Sequence, residues 1–374
     1  MKIVFDARVH MNYFSGISRY IICLLEAYLE QFPQDEMVVL INPTIKKDNA
    51  IFKALKKFDN VKIETIRTAH MGPKNYLVMG RIVKKYKPDV YHYPHLDAPI
   101  FTGKIPVVAT IHDTNFYNEI KKFDDRFGLK SFYFKKSLSL TLKYATRVIF
   151  VSDSTREEVM RLPKVAAYAK KFQRIYNGLE KDFNQLDRNE AIRHLQKLDI
   201  SGQYFFYVGQ IREHKNIRRM IEAFKKFNAI HSEYKLVLVG NNYLNENLEE
   251  KNIVYMEKVT NRELRALYTG CEAFLFPSLF EGFGFPILEA FSFGKNVVTT
   301  NYGATAEISS GLAELVDPLS VDSIASGIER AIREDERSAA RVAHASKFSW
   351  LDNAREVRAI YTEAIQAKKE KKAV

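Results

Sequence analysis

Residues 273–294 read AFLFPSLFEGFGFPILEAFSFG and combine three local signals. The opening apolar run is typical of a buried strand, Gly282 and Gly284 predict a loop, and Pro286 suits the first position of a helix. Glycines let the backbone approach a ligand closely, and the first turn of a helix offers N–H groups to an anion. The stretch therefore predicts a strand, a glycine loop and a helix start that could together hold a phosphate.

Two glutamates lie in this stretch, Glu281 before the glycines and Glu289 in the predicted first helical turn. Because a carboxylate accepts hydrogen bonds from hydroxyl groups, the two side chains could bind sugar hydroxyls on either side of a phosphate. The structural alternative is that Glu289 only complements the helix dipole and that the glycines form an ordinary turn. Both interpretations stay open on these residues alone.

Short apolar or β-branched runs, separated by longer segments of helical periodicity, recur along the chain. The runs are KIVFD (2–6), MVVLIN (37–42), VYHY (90–93), VVATIHD (107–113), RVIFVS (147–152), YFFYVG (204–209), KLVLVG (235–240), IVYM (253–256), AFLFPS (273–278) and NVVTT (296–300). This alternation predicts an α/β fold in which helices cover parallel sheets.

The runs fall into two series, which predicts two Rossmann-like domains. The turn dipeptide Asn177-Gly178 and a polar stretch separate the series, so we place the boundary near residue 183. The predicted domains are residues 1–182 and 183–350, followed by a C-terminal helix and basic tail over 351–374. One face of that helix carries Ala354, Val357, Ile360, Tyr361, Ala364 and Ile365 and could pack on either domain.

The composition excludes the disordered and fibrous classes, because 46% of the 374 residues are apolar and 13% are aromatic. The net charge of +12 comes from residues 1–182, which hold 31 basic and 19 acidic side chains against 26 of each in 183–374. Cys23 and Cys271 lie far apart in apolar stretches, which favours a reducing compartment over a disulfide or zinc site. We see neither a leader nor an apolar span of about 18 residues, so we predict a cytoplasmic protein, with peripheral attachment to the inner face of the membrane left open.

The two glutamates separated by seven residues, with their strand, glycines and proline, resemble the hallmark of the retaining nucleotide-sugar glycosyltransferases of family 4. Other segments resemble the family as well: FDARVHMNYFSGISRY, ATIHDTNF, VSDSTREEV, YVGQIREHKNI, NYGATAEI and KFSW. The resemblance covers nearly the whole chain. It implies the GT-B architecture, in which two Rossmann-like domains face a central cleft.

The resemblance also implies roles for single residues in binding a nucleoside diphosphate sugar. Glu281 would contact hydroxyls of the transferred sugar, Glu289 the nucleotide ribose, and Lys215 would neutralise the departing diphosphate. His112 would face the sugar from the opposite domain. Further donor-binding positions are Gly16 near the phosphates, Val259 near the base, and Gly282, Phe283, Gly284 and Phe285 around the sugar and diphosphate.

Two positions depart from the family pattern. Many relatives have an arginine soon after the strand glycine or directly before the lysine, where this chain has Gln210 and His214. Arg212 is the available substitute, although it could equally be a solvated charge in a turn. A non-catalytic protein that binds a nucleotide sugar or a glycolipid therefore stays open as an alternative.

The reaction implied is hexosyl transfer to a hydroxyl with the anomeric configuration retained, and mannose from GDP-mannose is favoured over a UDP-sugar. A lipid-linked or oligosaccharide acceptor is expected. No metal cluster is visible, and the resemblance implies a fold that usually neutralises the phosphates with Lys, Arg and helix dipoles. We therefore predict no requirement for a divalent ion or another cofactor. A dinucleotide oxidoreductase is excluded, because SGISRY after the first strand lacks the Gly-x-Gly-x-x-Gly turn.

The excess of basic residues lies in residues 1–182, the domain that we expect to bind the acceptor. Lysines alternate with aromatic residues there over 121–143 and again at 84–87. Such a pattern suits an anionic membrane surface or a lipid diphosphate carrier, while the alternative is a solvated helix whose aromatics point into the core. We expect no nucleic acid partner, because no recognition motif accompanies the charge. The cationic residues are Lys84, Lys85, Lys87, Lys121, Lys122, Lys130, Lys135, Lys136 and Lys143.

Overall fold

The computed structural model describes residues 1–12, 15–99, 101–114, 129–180, 183, 186–333 and 336–373, and the chain divides into two compact units. Unit 1 comprises Met1–Gly178 and Ser349–Val374, and unit 2 comprises Leu179–Phe348. Each unit is built on its own parallel sheet with helices, which confirms the predicted pair of Rossmann-like domains.

Unit 1 contains a parallel sheet whose strands are β1 (Lys2–Asp6), β2 (Glu36–Ile41), β3 (Val61–Thr65), β4 (Val90–Tyr93), β5 (Val107–Ile111), β6 (Arg147–Phe150) and β7 (Phe172–Arg174). The order across the sheet is β3-β2-β1-β4-β5-β6-β7. Its described helices are α1 (Gly16–Gln31), α2 (Ala50–Leu55), α3 (Pro73–Lys84), α4 (Leu129–Tyr144) and α5 (Asp153–Met160). The order in which successive strands are added to the sheet reverses between β1 and β4.

Unit 2 repeats this plan with β8 (Tyr204–Val208), β9 (Lys235–Val239), β10 (Ile253–Met256), β11 (Ala273–Phe276), β12 (Asn296–Thr300) and β13 (Glu314–Val316), in the order β10-β9-β8-β11-β12-β13. Its described helices are α6 (Arg188–Lys197), α7 (Ile217–Asn228), α8 (Asn261–Gly270), α9 (Phe285–Ser292), α10 (Gly303–Ser309), α11 (Val321–Ala331) and α12 (Ser338–Ala345). Here the order reverses between β8 and β11. In such sheets, ligands bind outside the carboxyl ends of the strands at the point of reversal.

The last helix, α13 (Trp350–Ala373), belongs to unit 1 and packs against α1, β4 and β5. The face predicted to be apolar is the buried face, with Ala354, Val357 and Ala364 fully covered. The Tyr361 hydroxyl lies 2.6 Å from Nδ1 of the buried His92. The sequence placed the domain boundary near residue 183, whereas the compact units separate between residues 178 and 179.

Every apolar run named above becomes a strand, and the structure adds β3, β7 and β13. These three strands lie at sheet edges and contain exposed positions, so they lack the continuous burial and apolar character of the central strands. Neither cysteine forms a disulfide bond. No helix in the described part of the chain has the length and apolar character needed to cross a bilayer.

Candidate active site

The reversal point of the unit 2 sheet brings two predicted site residues together. Lys215 ends a short 3₁₀ helix (Glu213–Lys215) in the segment that follows β8, and Glu281 lies in the loop that follows β11. The Lys215 Nζ donates to Glu281 Oε1 at 2.5 Å, and the two side chains are only 15% and 14% exposed. The ammonium also lies 5.4 Å from the centre of the Phe276 ring. A cation and a carboxylate thus share one partly buried position at the carboxyl edge of the sheet.

The hydroxyl of Tyr207 is a further group near this pair. Burial together with the negative charge of Glu281 raises the pKa of Tyr207 well above its ordinary value. The tyrosine is therefore neutral at physiological pH, and its hydroxyl donates to the carbonyl of Gln210 at 3.2 Å. This bond helps to hold the segment that leads to Lys215.

Asn216 fixes the two loops to each other, a role that the sequence analysis did not assign. It is buried, adopts the left-handed conformation with φ of 61°, and its Nδ2 donates to the carbonyls of Pro277 at 3.0 Å and Pro318 at 2.7 Å. The backbone N–H of Leu279 also donates to the carbonyl of His214 at 2.8 Å. An asparagine directly after the lysine was the available signal, because this residue tolerates the left-handed region better than most.

Two glycines bring β8 and β9 into backbone contact at the same edge. Gly209 and Gly240 have φ angles of 154° and 142°, and a Cβ built on Gly240 would lie 1.8 Å from the carbonyl oxygen of Gly209. No side chain fits in that space. The glycine after each strand therefore serves close packing of the loops that lead to Lys215.

Helix α9 starts at Phe285 with Gly284 as its N-cap at φ of 107°, a conformation that favours glycine. Pro286 is consequently the second helical residue and Glu289 the fifth, just beyond the first turn in which the sequence analysis placed it. The Glu289 side chain is buried, and its Oε2 accepts a hydrogen bond from the Tyr268 hydroxyl at 2.7 Å. Tyr268 thereby fixes the carboxylate in place.

Arg212 and Val259 occupy the remaining predicted donor positions of unit 2. The Arg212 Nε donates to Gln210 Oε1 at 2.8 Å, and its guanidinium carbon lies 3.9 Å from the centre of the Tyr243 ring. The residue that replaces the family arginine, Gln210, therefore binds the proposed substitute directly. Val259 is partly buried and packs against the core of unit 2.

Two further predicted site residues belong to unit 1. Gly16 is the first residue of α1, where the Ser15 hydroxyl caps the helix by accepting from the Ser18 N–H at 3.1 Å. His112 follows β5 and packs edge-on against Tyr20, with 4.6 Å between the ring centres. Burial and the charge of nearby His95 lower the pKa of His112 to about 3, so its imidazole is neutral at physiological pH. Its buried Nε2 has no hydrogen-bond partner within the described residues.

A metal site would need a cluster of side chains able to act as ligands. Within the ranges that the structure describes, no three or more histidine, cysteine, aspartate or glutamate side chains cluster in a way that could hold a metal.

Each half of the chain matches a family model. A model described as Glycosyltransferase Family 4 matches residues 14–183, and a model described as Glycosyl transferases group 1 matches residues 189–348. O-antigen chain mannosyltransferase B of Escherichia coli is 27% identical over 387 residues, which cover 94% of this chain and 96% of that protein. O-antigen chain mannosyltransferase RfbU of Salmonella typhimurium is 27% identical over 276 residues, with 69% and 71% covered.

Solved structures agree on the architecture. Anabaena HepE, crystallised in complex with UDP and glucose, superposes with a TM-score of 0.73 at 17% identity and covers 97% of this chain and 99% of that one. This likeness shows the GT-B fold alone. Since the two family models together account for nearly the whole chain, the protein belongs to glycosyltransferase family 4, with a second half of the group 1 type.

Proposed function

We propose that the protein is a retaining, metal-independent glycosyltransferase that moves a hexosyl group from a nucleoside diphosphate sugar to a hydroxyl of a lipid-linked or polysaccharide acceptor. The observation that carries this proposal is the Lys215–Glu281 pair at the reversal point of the unit 2 sheet. A donor of this kind presents an anionic diphosphate beside sugar hydroxyls. The ammonium of Lys215 suits the diphosphate, and the carboxylate of Glu281 suits the hydroxyls.

Lys215 would stabilise the leaving group. An ammonium has three N–H donors, so Lys215 can keep one on Glu281 and offer others to a diphosphate oxygen. Negative charge grows on that oxygen as the glycosidic bond breaks, and a fixed cation there stabilises the transition state more than the ground state. The N-terminal end of α9 adds the positive end of a helix dipole near Gly284.

The two glutamates would bind hydroxyls rather than act as an acid–base pair. Glu281 would accept from hydroxyls of the transferred sugar, and Glu289, fixed by Tyr268, from the ribose. The backbone N–H groups of Phe283, Gly284 and Phe285 would bind around the sugar and diphosphate. His112, a neutral imidazole, is assigned to a sugar hydroxyl.

Retention would follow a front-side route. The bond from the anomeric carbon to the phosphate oxygen breaks, the acceptor oxygen bonds to that carbon on the same face, and the acceptor proton moves to a donor phosphate oxygen. The protein then contributes positioning and charge stabilisation, for which no divalent ion is required.

For the donor we propose GDP-mannose. Relatives of this chain are named as O-antigen mannosyltransferases, which favours mannose and an O-antigen or related polysaccharide as product. The segment around Gly240 and Asn241, together with Val259, is proposed to hold the guanine. The Anabaena protein binds UDP, but it is only 17% identical to this chain, so its nucleotide does not decide the base that this chain binds.

A turnover assay tests the function and ranks the donors. In the presence of a chelator, we expect release of nucleoside diphosphate from GDP-mannose, an α-linked product by NMR, and a larger rise in Tm with GDP than with UDP. Glu281→Ala should lose turnover, whereas Glu257→Ala should not, because Glu257 is an exposed glutamate of the same unit whose ion pair with Lys258 is long, at 3.8 Å. Equal or reversed Tm shifts would discard the GDP assignment. Tight nucleotide binding without turnover of any donor would favour the non-catalytic alternative.

We further propose that unit 1 contacts an anionic membrane through α3, the segment at residues 101–104 and α4. Exposed apolar side chains there include Phe132 at 68%, Leu77 at 66% and Phe101 at 58% exposure. Their neighbours include the exposed cations Lys74, Arg81, Lys84, Lys85, Lys104, Lys135 and Lys136. We call these residues the basic apolar surface.

Contacts within unit 1 join the three segments that carry these residues. The Gly72 N–H before α3 donates to the Tyr133 hydroxyl of α4 at 2.6 Å, and a Cβ built on Gly80 would lie 1.9 Å from the carbonyl oxygen of Phe101. The sequence has no acidic residue over 71–88 or 129–152. Exposed apolar side chains and cations in segments without acidic residues suit an anionic bilayer, where each cation near the surface contributes about 1 kcal/mol.

This surface differs from the one expected on the sequence. Residues 121–128 of the predicted segment lie outside the described residues, as does the side chain of Lys130. Phe134 and Tyr86 pack against the core of unit 1, and Tyr133 donates to the buried Asp97 at 2.9 Å. Of the aromatic residues expected in this segment, Phe132 is exposed, and Leu77 and Phe101 supply further exposed apolar groups.

Vesicle sedimentation tests the membrane contact. The protein should bind vesicles that contain phosphatidylglycerol and leave pure phosphatidylcholine vesicles unbound. The double change Leu77→Ser and Phe132→Ser should weaken binding about tenfold or more, since two large apolar side chains lose their burial. Ile230→Ser is the matched control, because Ile230 is 80% exposed but lies in unit 2. Equal binding by both variants, or binding that ignores lipid charge, would contradict the proposal.

A further inference from the structure

We propose that His95, held in place by Asp97, binds a hydroxyl group of the saccharide acceptor at the carboxyl edge of the unit 1 sheet. The inference rests on the proposed function, and it assigns to a second pair of side chains the recognition of a neutral, polyhydroxylated ligand. The hydroxyl in question is one that the acceptor uses for binding, distinct from the hydroxyl that receives the sugar.

The position follows from the topology of unit 1. Its strand order reverses between β1 and β4, so the segments after these two strands flank the place where a parallel sheet binds ligands. His95 lies two residues beyond the end of β4, and His112 directly follows the neighbouring β5. The corresponding point of unit 2 carries the Lys215–Glu281 pair.

Asp97 is a positioning residue for this imidazole. Its side chain is fully buried, and Oδ1 accepts from His95 Nδ1 at 2.5 Å and from the Tyr93 hydroxyl at 3.1 Å. Oδ2 accepts from the Tyr133 hydroxyl at 2.9 Å. With both oxygens engaged, the carboxylate cannot swing toward a ligand, and it fixes both the orientation of the ring and the proton on Nδ1.

The buried ion pair between Arg8 and Asp6 is linked to Asp97 through Asn75. Arg8 Nη2 donates to Asp6 Oδ2 at 2.6 Å and to Asn75 Oδ1 at 2.8 Å, and Asn75 Nδ2 in turn donates to the Asp97 carbonyl at 3.0 Å. The side chains of Arg8 and Asp6 are completely buried. The His95 ring is therefore attached to the rigid core of unit 1 through a continuous chain of hydrogen bonds.

The remaining ring nitrogen is the group offered to a ligand. The His95 side chain is 14% exposed, and within the described residues Nε2 makes no hydrogen bond. An imidazole nitrogen accepts a hydrogen bond when neutral and donates one when charged, and a hydroxyl can serve as partner to either form. A hydroxyl thus fits His95 in both protonation states.

The charges nearby favour a neutral ligand over an anion. Burial lowers the pKa of His95, but the charge and hydrogen bond of Asp97 and the charge of Asp113 together raise it above its ordinary value. These carboxylates place negative potential at the ring, while the positive charge of Arg8 is balanced by Asp6. Even when the ring is protonated, the two carboxylates offset its charge, so these groups offer no excess positive charge to a phosphate or carboxylate ligand. A saccharide hydroxyl needs none.

Imidazole NMR tests the binding directly. Methyl α-D-mannopyranoside added to the full-length protein should shift the ring resonances of His95 and leave those of His231 in place. His231 is the matched control, because it also lies beside a carboxylate, Glu329, at 3.1 Å, but belongs to unit 2. Asp97→Asn, which disorients the ring, should reduce the His95 shift. An unperturbed His95 resonance at saturating saccharide would overturn the proposal.

Kinetics separate acceptor binding from the rest of the reaction. With octyl α-D-mannopyranoside as acceptor, His95→Ala should raise the acceptor KM about tenfold, the loss of one hydrogen bond, while donor KM and donor hydrolysis stay unchanged. His95→Gln should recover part of the loss, and His231→Ala should behave as wild type. A wild-type acceptor KM in His95→Ala would refute the role. If no donor turns over, the proposed function fails, and the NMR titration still decides whether His95 binds saccharide.

Discussion

Replacing Lys215 with alanine is expected to lower kcat for glycosyl transfer by about 10²–10³, the loss typical of one preorganised electrostatic group at a developing anion. The ammonium is held by Glu281 at 2.5 Å in a position that is only 15% exposed, so little of its charge is screened by water. Donor KM should change less than kcat, because charge on the leaving oxygen is greatest in the transition state. The measurement is steady-state release of nucleoside diphosphate.

Lys225→Ala provides the control for this variant. Lys225 also pairs with a glutamate, Glu250, at 2.5 Å in unit 2, but its side chain is 51% exposed. Its loss should leave kcat within twofold of wild type, because exposed ion pairs contribute little. Lys215→Arg should restore only part of the rate, since a planar guanidinium does not reproduce the point charge of an ammonium. A Lys215→Ala enzyme with more than a tenth of wild-type kcat would rule out the leaving-group role.

Replacing Arg8 with methionine is expected to lower the free energy of unfolding of unit 1 by about 3–5 kcal/mol, because it leaves a buried carboxylate without its charge partner. Asp6 is fully buried and accepts two hydrogen bonds from the Arg8 side chain, at 2.6 and 2.8 Å. The Tyr91 hydroxyl, which also donates to Asp6, carries no charge and cannot replace the guanidinium. Arg8 additionally donates to the carbonyls of Thr68 and Ala69, which would lose their partner.

Urea unfolding followed by tryptophan fluorescence measures this effect, because the chain has one tryptophan, Trp350, and it lies in unit 1. Arg218→Met is the control: Arg218 pairs with Glu213 and Glu246, but these side chains are 42–48% exposed, so the loss should stay below about 1 kcal/mol. Combining Arg8→Met with Asp6→Asn should restore part of the stability, since position 6 then no longer carries an unpaired buried charge. If Arg8→Met and Arg218→Met lowered the free energy of unfolding equally, the buried pair would contribute no more to stability than an exposed one.

The central strands were predictable because they are buried on both faces and read as continuous apolar runs, as in YFFYV of β8. Strand β3 reads VKIET and is half exposed along its length, so its polar residues hide it from a search for apolar runs. β7 and β13 are three residues long and owe their extended form to pairing with β6 and β12. Such edge strands are set by tertiary pairing rather than by local composition.

The candidate site divides in the same way. Glu281 and Glu289 could be found because their spacing around a glycine loop is carried by one continuous segment. Asn216 could not be ranked from sequence, since its importance comes from bonds to Pro277 and Pro318, 61 and 102 residues away. The His95–Asp97 pair was missed because no linear motif records that Tyr133 and Asn75 converge on the same aspartate.

The assignment of α13 to unit 1 has a consequence for how the protein is made. Residues 179–348 of unit 2 are inserted between two parts of unit 1, so the ribosome completes unit 2 before it synthesises the last helix of unit 1. Until Tyr361 emerges, the buried His92 lacks the hydroxyl that satisfies its Nδ1, and Asp35 lacks the Arg358 guanidinium that donates to it at 2.8 Å. The N-terminal part of unit 1 therefore keeps an uncovered apolar face on α1 until α13 has been synthesised. Nascent chains stalled before residue 350 should expose that face to chaperones, even though most of their sequence has already been translated.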